Sequence, residues 1–247
     1  MNRIKKKISR YIGGKPPQPD NFDYLEKMVV ELNNFQELKK VFGWTKDFIL
    51  ERSDIHDFKY VEDVNERRIR DAESVAIVMA NADPKVALEI GTSEGMGTVL
   101  MAANAPEAKI YTVNIPPEEI LSGEGGKLTT IALEKDKIGK AYRERNLKNI
   151  FQIYANTAKW EPNIGPIDVA FIDGCHDAEF VFNDTRKVLA HAKPGSFILW
   201  HDFNPDLVKK YAWINDVCLG VEKLFQEGFL EGRIFHIKDS WVGIYKV

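Results

Sequence analysis

The rhythm of hydrophobic positions changes near residue 85. Before it, apolar residues recur at helical spacing. Tyr24, Met28, Leu32 and Phe35 fall on one stripe of "DNFDYLEKMVVELNNFQELKKVFGW". Asn34 can cap a second short helix and Gly43 can end it. "ERRIRDAESVAIVMANADP" predicts a further amphipathic helix, stopped by Asp83-Pro84. Residues 21–65 are therefore expected to hold a few helices and no strand. Upstream, "GGKPPQP" at 13–19 reads as a linker.

From residue 85 short apolar runs alternate with helical stretches. "VALEI" (86–90), "KIYTVNI" (109–115), "IFQIYA" (150–155), "DVAFID" (168–173) and "SFILWHD" (196–202) are strand candidates. They lack clean polar alternation, as strands buried on both faces do. Helical segments fit between them at 96–104, 129–146, 178–191 and 205–228. Such alternation predicts an α/β fold, doubly wound around a mostly parallel sheet. The end differs: "GRIFHIKDSWVGIYKV" predicts two strands joined by Lys238-Asp239-Ser240, a C-terminal antiparallel hairpin. The division expected is a tail and helical extension over 1–65 and a main domain over 66–247.

Composition narrows the classes of function. A length of 247 residues with 44% hydrophobic and 29% charged content suits a globular domain with an extension. A net charge of −3 gives no global electrostatic case for nucleic acid. Cys175 and Cys218 make neither a disulfide framework nor a zinc pattern, and are expected as thiols in a reducing compartment. The N-terminus is basic, with Lys5, Lys6 and Lys7, but has no apolar core of a signal peptide. No apolar run approaches the ~20 residues that span a bilayer. The expected setting is the cytoplasm, without a stable membrane anchor.

Chemistry concentrates first in "VALEIGTSEGMGTVLMAA" (86–103), where a glycine loop follows the first strand of the alternating region. Gly91-Thr92-Ser93-Glu94-Gly95 matches the G-x-S-x-G elbow of serine hydrolases, and Ser93, Asp173 and His201 follow in the chain order of that fold. No Gly-rich oxyanion loop from an earlier strand accompanies it, so that reading ranks third. The dinucleotide fingerprint fails, because Ser93 and Met96 stand where glycines are required. The phosphate loop fails at Met96-Gly97-Thr98. What remains is a loop whose glycines let backbone turn sharply and approach a ligand. Glu89 supplies a carboxylate just before the turn, able to accept from a ligand ammonium.

These residues resemble class I S-adenosylmethionine-dependent methyltransferases. "EIGTSEGMGT" is similar to their first motif, "KIYTVNIPP" to the second strand and "IFQIYANTAKW" to the third strand with its adenine-side loop. "IDVAFIDGCHDAEFVFNDTRKVLAHAKPGSFILWHDFNP" resembles the most specific block of a bacterial subgroup of small-molecule O-methyltransferases. The likeness covers roughly residues 70–247. It implies a Rossmann-like, doubly wound, seven-stranded sheet with the last strand inserted antiparallel. It implies S-adenosylmethionine as cofactor, with Gly91, Ser93 and Gly95 around its methionine part and Asn156 and Thr157 near adenine; Glu89, Thr92, Asn114 and Asp173 complete the expected cofactor-binding set. Asn114 departs from the pattern, standing where an acidic residue usually binds the ribose hydroxyls.

The acceptor chemistry is expected at the ends of the later strands. His201 and His176 are general-base candidates, because histidine titrates near neutrality, and Asp173 or Asp202 could orient them. A divalent metal such as magnesium is the competing use, with Asp173, Asp202 and Asn204 as oxygen donors. The polar, Gly-rich "PPEEILSGEGGKLT" (116–129) reads as a lid, and Trp44, Phe48 and Tyr60 as part of a cap over an acceptor pocket. The function expected is methyl transfer to a hydroxyl of a small molecule, a sugar or secondary metabolite. The first alternative is a non-catalytic cofactor-binding partner or regulator. A homo-oligomer is compatible with either.

Overall fold

The computed structural model describes residues 22–50, 62–127 and 132–247. The linker at 13–19, the basic tail, Tyr60 and residues 128–131 of the expected lid and following helix lie outside the described residues. In chain order the elements are α1 (Leu25–Met28), β1 (Val29–Leu32), α2 (Phe35–Phe42), α3 (Glu62–Ala82), β2 (Val86–Ile90) and α4 (Met96–Asn104). There follow β3 (Lys109–Asn114), α5 (Pro117–Ser122), α6 (Lys140–Glu144), β4 (Ile150–Tyr154) and β5 (Ile167–Ile172). The last are α7 (Ala178–His191), β6 (Ala192–Trp200), a 3-10 turn (Pro205–Leu207), α8 (Ala212–Gln226), β7 (Ile234–Ile237) and β8 (Gly243–Lys246).

The eight strands form one sheet in the order β1-β7-β8-β6-β5-β2-β3-β4. β8 runs antiparallel to both β6 and β7, and all other neighbours are parallel. The mostly parallel sheet with its reversed last strand is thus as expected, with one strand more. The apolar runs lack alternation because both faces are covered. Ala170, Ile172, Ile198 and Trp200 pack in one layer with α7 and α8. Val169, Phe171, Phe197 and Leu199 pack in the other, with Leu38 of α2, Val75 and Val78 of α3 and Met101 of α4.

The N-terminal segment corrects the expectation of helices alone. The stripe through Tyr24, Met28, Leu32 and Phe35 yields a single helical turn. Val29–Leu32 then becomes a strand, pairing in parallel with β7 from Val29↔Ile234 to Leu32↔Ile237. β-branched Val29 and Val30 favour extended backbone. Glu222 of α8 fixes this entry by accepting from the amides of Tyr24 (3.1 Å) and Leu25 (2.9 Å). α2 is capped as read, Asn34 Oδ1 accepting from the amides of Gln36 and Glu37, with Gly43 left-handed at its end. α3 stops at Asp83-Pro84.

The helix expected over 129–146 is reduced to α6. Gly139 is left-handed (φ 70°) just before it. The amides of Gly139 and Ala141 donate instead to the carbonyls of Ser93 and Glu94 (2.8 and 2.9 Å), bracing the glycine loop. Among the described residues, no helix is long and apolar enough to cross a membrane.

Candidate active site

From β2 the chain steps outward to β3 and then β4, whereas β5 lies on the other side of β2. The order therefore switches between β2 and β5, where open α/β sheets bind ligands beyond the strand ends. The glycine loop crosses this point. Gly91 (φ 105°) and Gly95 (φ 91°) are left-handed, as is Ser93 (φ 48°). A side chain on Gly91 would overlap the backbone carbonyl of Asp173 at the end of β5. The loop thus packs backbone to backbone against the next strand end. Thr92 is buried and turned inward, its hydroxyl 2.7 Å from that of Thr112, while Ser93 and Glu94 face outward.

Glu89 lies beneath the loop rather than in it. It is 1% exposed, and its carboxyl accepts from the hydroxyls of Thr98 and Thr112. Burial pushes its pKa up to about 8, against the two hydroxyl bonds that favour the charged form. The folded state therefore binds this proton more tightly than the unfolded chain, and stability falls as pH rises from about 4.5 through about 8. Glu89→Gln is expected to remove that slope. Urea unfolding across this range should show the variant gaining on the wild type as pH rises. Parallel curves would contradict the buried acid.

Asn114 closes the loop from the side. Its Oδ1 accepts from the Ser93 amide at 3.0 Å and its Nδ2 donates to the Ile115 carbonyl at 2.9 Å. Asn156 is buried, its Nδ2 donating to Glu119 Oε2 (3.0 Å) and the Glu124 carbonyl (3.3 Å). It thereby ties down α5 and the turn after it, which Lys127 N continues with a 2.7 Å bond to Asp177 Oδ2. The expected lid thus lies across the strand ends as far as it is described. The Thr157 carbonyl accepts from Asn183 and Lys187, holding the adenine-side loop onto α7.

The acidic and imidazole groups converge beyond β5 and β6. His201 Nδ1 is 2.9 Å from Asp173 Oδ1, and His176 Nε2 is 2.9 Å from Asp202 Oδ2. Asp173 also lies 3.9 Å from His176, and Asp202 3.6 Å from His201, so the four form one cluster. The surrounding carboxylates outweigh burial and raise both imidazoles, His176 to about 10. The same contacts hold Asp173 and Asp202 low. Candidate ligand atoms of Asp173, His176, His201 and Asp202 all lie within 4.8 Å of one another. This mixed nitrogen and oxygen set fits a transition metal better than magnesium.

Asn204 follows two residues beyond Asp202. It caps the 3-10 turn, its Oδ1 accepting from Asp206 N (3.1 Å) and its Nδ2 donating to the Ser240 carbonyl (3.2 Å). Its amide bonds to the backbone, while Asp173 and Asp202 of the expected oxygen set are brought together with two imidazoles. His236 is structural, 3% exposed and bonded to the Ser240 carbonyl at 2.9 Å.

Asp71 of α3 is a member that sequence reading missed. Its Oδ2 lies 3.4 Å from His201 Nε2, and its Oδ1 accepts from the Trp241 amide at 2.6 Å. The signal was present: Asp71 shares a helix face with Val75 and Val78, at i+4 and i+7, and is itself 7% exposed. A carboxylate on the apolar face of a helix needs a partner. Both ring nitrogens of His201 face carboxylates, Nδ1 that of Asp173 and Nε2 that of Asp71, and no contact among those described joins the ring to Ser93.

Residues 88–203 match a methyltransferase domain family. No curated protein sequence matches the chain. Among the many solved structures that resemble its fold are two methyltransferases. The O-methyltransferase NovP has 13% identity and a TM-score of 0.52, with 74% of this chain and 78% of that one covered. The SAH-bound methyltransferase PaMTH1 of Podospora anserina has 12% identity and a TM-score of 0.51, with 98% and 94% covered. Over residues 88–203 the chain is thus similar to a methyltransferase domain, and its glycine loop and sheet order agree with that fold.

Proposed function

We propose that the enzyme transfers a methyl group to a hydroxyl oxygen of a small molecule, with residues 66–247 as its catalytic unit. The observation that carries this reading is the placement of the Asp173–His201 pair against the glycine loop. Asp173 belongs to both: its carbonyl packs on Gly91, and its carboxylate holds His201. Cofactor and acceptor would therefore meet at one strand end.

The crevice fits an adenosyl cofactor. The glycine loop offers backbone and the outward Ser93 toward it, with Asn114 and the Asn156–Thr157 loop at its far side. Bound there, the cofactor supplies a methyl group activated as a sulfonium. The chain's own task is alignment and proton removal. Asp173 and Asp71 face the two ring nitrogens of His201 and favour its protonated form, so Nε2 accepts the acceptor's hydroxyl proton only after the ring has lost its own, and turnover is expected to rise with pH. Asp71 stands at the same nitrogen and stabilises the imidazolium that results. His176 and Asp202 complete the charge balance behind it.

Calorimetric titration with S-adenosylhomocysteine tests the cofactor half. Saturable binding is expected, and none at millimolar concentration would refute it. A second reading is favoured by the four converging donors: Asp173, His176, His201 and Asp202 hold a divalent transition metal, which would polarise the acceptor oxygen.

A further inference from the structure

A strap bridges the crevice, and it is fastened at its far foot and at its middle. It leaves β3 at Ile115 and forms α5. Its foot, Gly126 and Lys127, rests on the turn that follows β5. Between β3 and β5 in the sheet stands β2, which carries the glycine loop. The strap thus reaches from one side of the switch point to the other.

The foot is fitted closely. Gly126 is left-handed (φ 81°), and a carbon added to it would lie 2.5 Å from Cys175 Sγ, 2.9 Å from Asp177 Oδ2 and 3.1 Å from the Phe180 ring. The next amide, that of Lys127, donates to Asp177 Oδ2 at 2.7 Å. Asp177 stands at the N-cap of α7, yet its side chain makes no cap bond to that helix and serves the strap instead. Asn156 pins the middle. Besides donating to Glu119 and the Glu124 carbonyl, it accepts from the Ala158 amide at 3.0 Å, so both ends of its amide tie the strap to the adenine-side loop. Lys159 of the same loop pairs with Glu124. With Gly126 seated on Cys175, the cavity lined by Asp173, Cys175, His176 and His201 is about 10 Å³, room for a single water. Ligand sites typically have roughly 300–1,000 Å³.

We propose that residues 115–127 are the gate of cofactor exchange and that Asp177 is the positioning residue that latches it. The inference rests on the methyltransferase reading and adds how the cofactor enters and leaves. Closed, the strap shields the reacting groups from water. Its foot is held by one charge-assisted hydrogen bond and one glycine contact, so release at Asp177 frees the span between β5 and the Asn156 pin. The bonds of Asn156 are then the pivot.

Stopped-flow fluorescence of the full chain mixed with S-adenosylhomocysteine reads the exchange. Hydrogen exchange over residues 117–127 reads the strap without any ligand. Asp177→Ala is expected to quicken both association and dissociation by about tenfold, while affinity moves by less than about threefold. Asp177→Asn keeps an acceptor oxygen and should bring both rates back to within about threefold of wild type. Gly126→Ala lifts the foot from Cys175 without altering α7, and should act as Asp177→Ala does. Hydrogen exchange over the strap should rise in the two alanine variants and not in Asp177→Asn. Thermal melting screens each variant for folding, and the two alanine sites are independent readings of the same foot.

Unchanged rates in Asp177→Ala and Gly126→Ala, or equal acceleration in Asp177→Asn, would overturn the latch. Weaker binding with unchanged association would do the same, marking Asp177 as ordinary support. Binding of S-adenosylhomocysteine to none of the forms would refute the methyltransferase reading. Hydrogen exchange then still decides the latch: a rise confined to the alanine variants supports it, and no rise overturns it.

Discussion

Gly91→Ala is expected to abolish cofactor binding and to destabilise the protein by about 3 kcal/mol or more. The position fails an alanine twice. Its φ of 105° is one that L side chains rarely adopt, and the added carbon would sit inside the Asp173 carbonyl. Neither obstacle is a flexible side chain that could swing away, so β2's loop and β5's end must separate. That separation moves the Asp173 carboxylate, hence His201, so activity and binding should fall together. Denaturant melts and S-adenosylhomocysteine calorimetry check the two halves. A stable variant that binds cofactor normally would mean that the loop is not backed onto β5 as described. Gly43→Ala is the control, since it is also left-handed but has nothing within 4 Å of the added carbon. It should cost only the strain of its backbone, on the order of 1 kcal/mol.

The second large effect concerns His201. His201→Gln keeps a polar group of similar reach but cannot take a proton, and turnover should drop by ~10²–10⁴-fold, the usual worth of a general base. Cofactor affinity should not move, because no member of the glycine loop contacts the ring among the described contacts. Single-turnover kinetics with a labelled methyl donor would read the chemical step directly. The metal reading gives a separate signature: exhaustive chelation should then silence the wild type, and a divalent transition ion should restore it. Full turnover of wild type after chelation removes the metal. Full turnover of His201→Gln removes the base.

The parallel strands were legible because burial on both faces writes itself as unbroken apolar runs. "VALEI" is bounded as read, "DVAFID" shifts by one residue at both ends and "IFQIYA" loses its last residue. The antiparallel end was legible from a link too short for a crossover. β1 was not. Its four residues are an edge strand whose partner, β7, lies at the other end of the chain, and local spacing there fits a helix equally well. The shortened helix before β4 was hidden for a related reason. Gly139 looks like a tolerable interruption until its amide is seen to serve the Ser93 carbonyl.

Of the candidate site, the residue types and the strand ends that carry them were readable, but not their pairing. Nothing in the order of residues says that Asn204 spends its amide on a turn, or that Asp71, over a hundred positions away, reaches His201. Asn114 is a case between. Its identity was visible as a departure, while its use, clamping the Ser93 amide, needed the loop's shape.

The bond between Tyr24 and Glu222 spans 198 positions. Its consequence lies in synthesis. A ribosome delivers α1 and β1 first and their partners last, so the first strand leaves the tunnel with no neighbour to join. It must stay unpaired until β7 has emerged, and the closing edge of the sheet is the last to assemble. A chain stopped before residue 234 would retain the glycine loop and His201, yet β1 would have nothing to bind. Such fragments should fold around β2–β6 with a loose apolar strand, which makes β1 a reporter of whether β7 has been made.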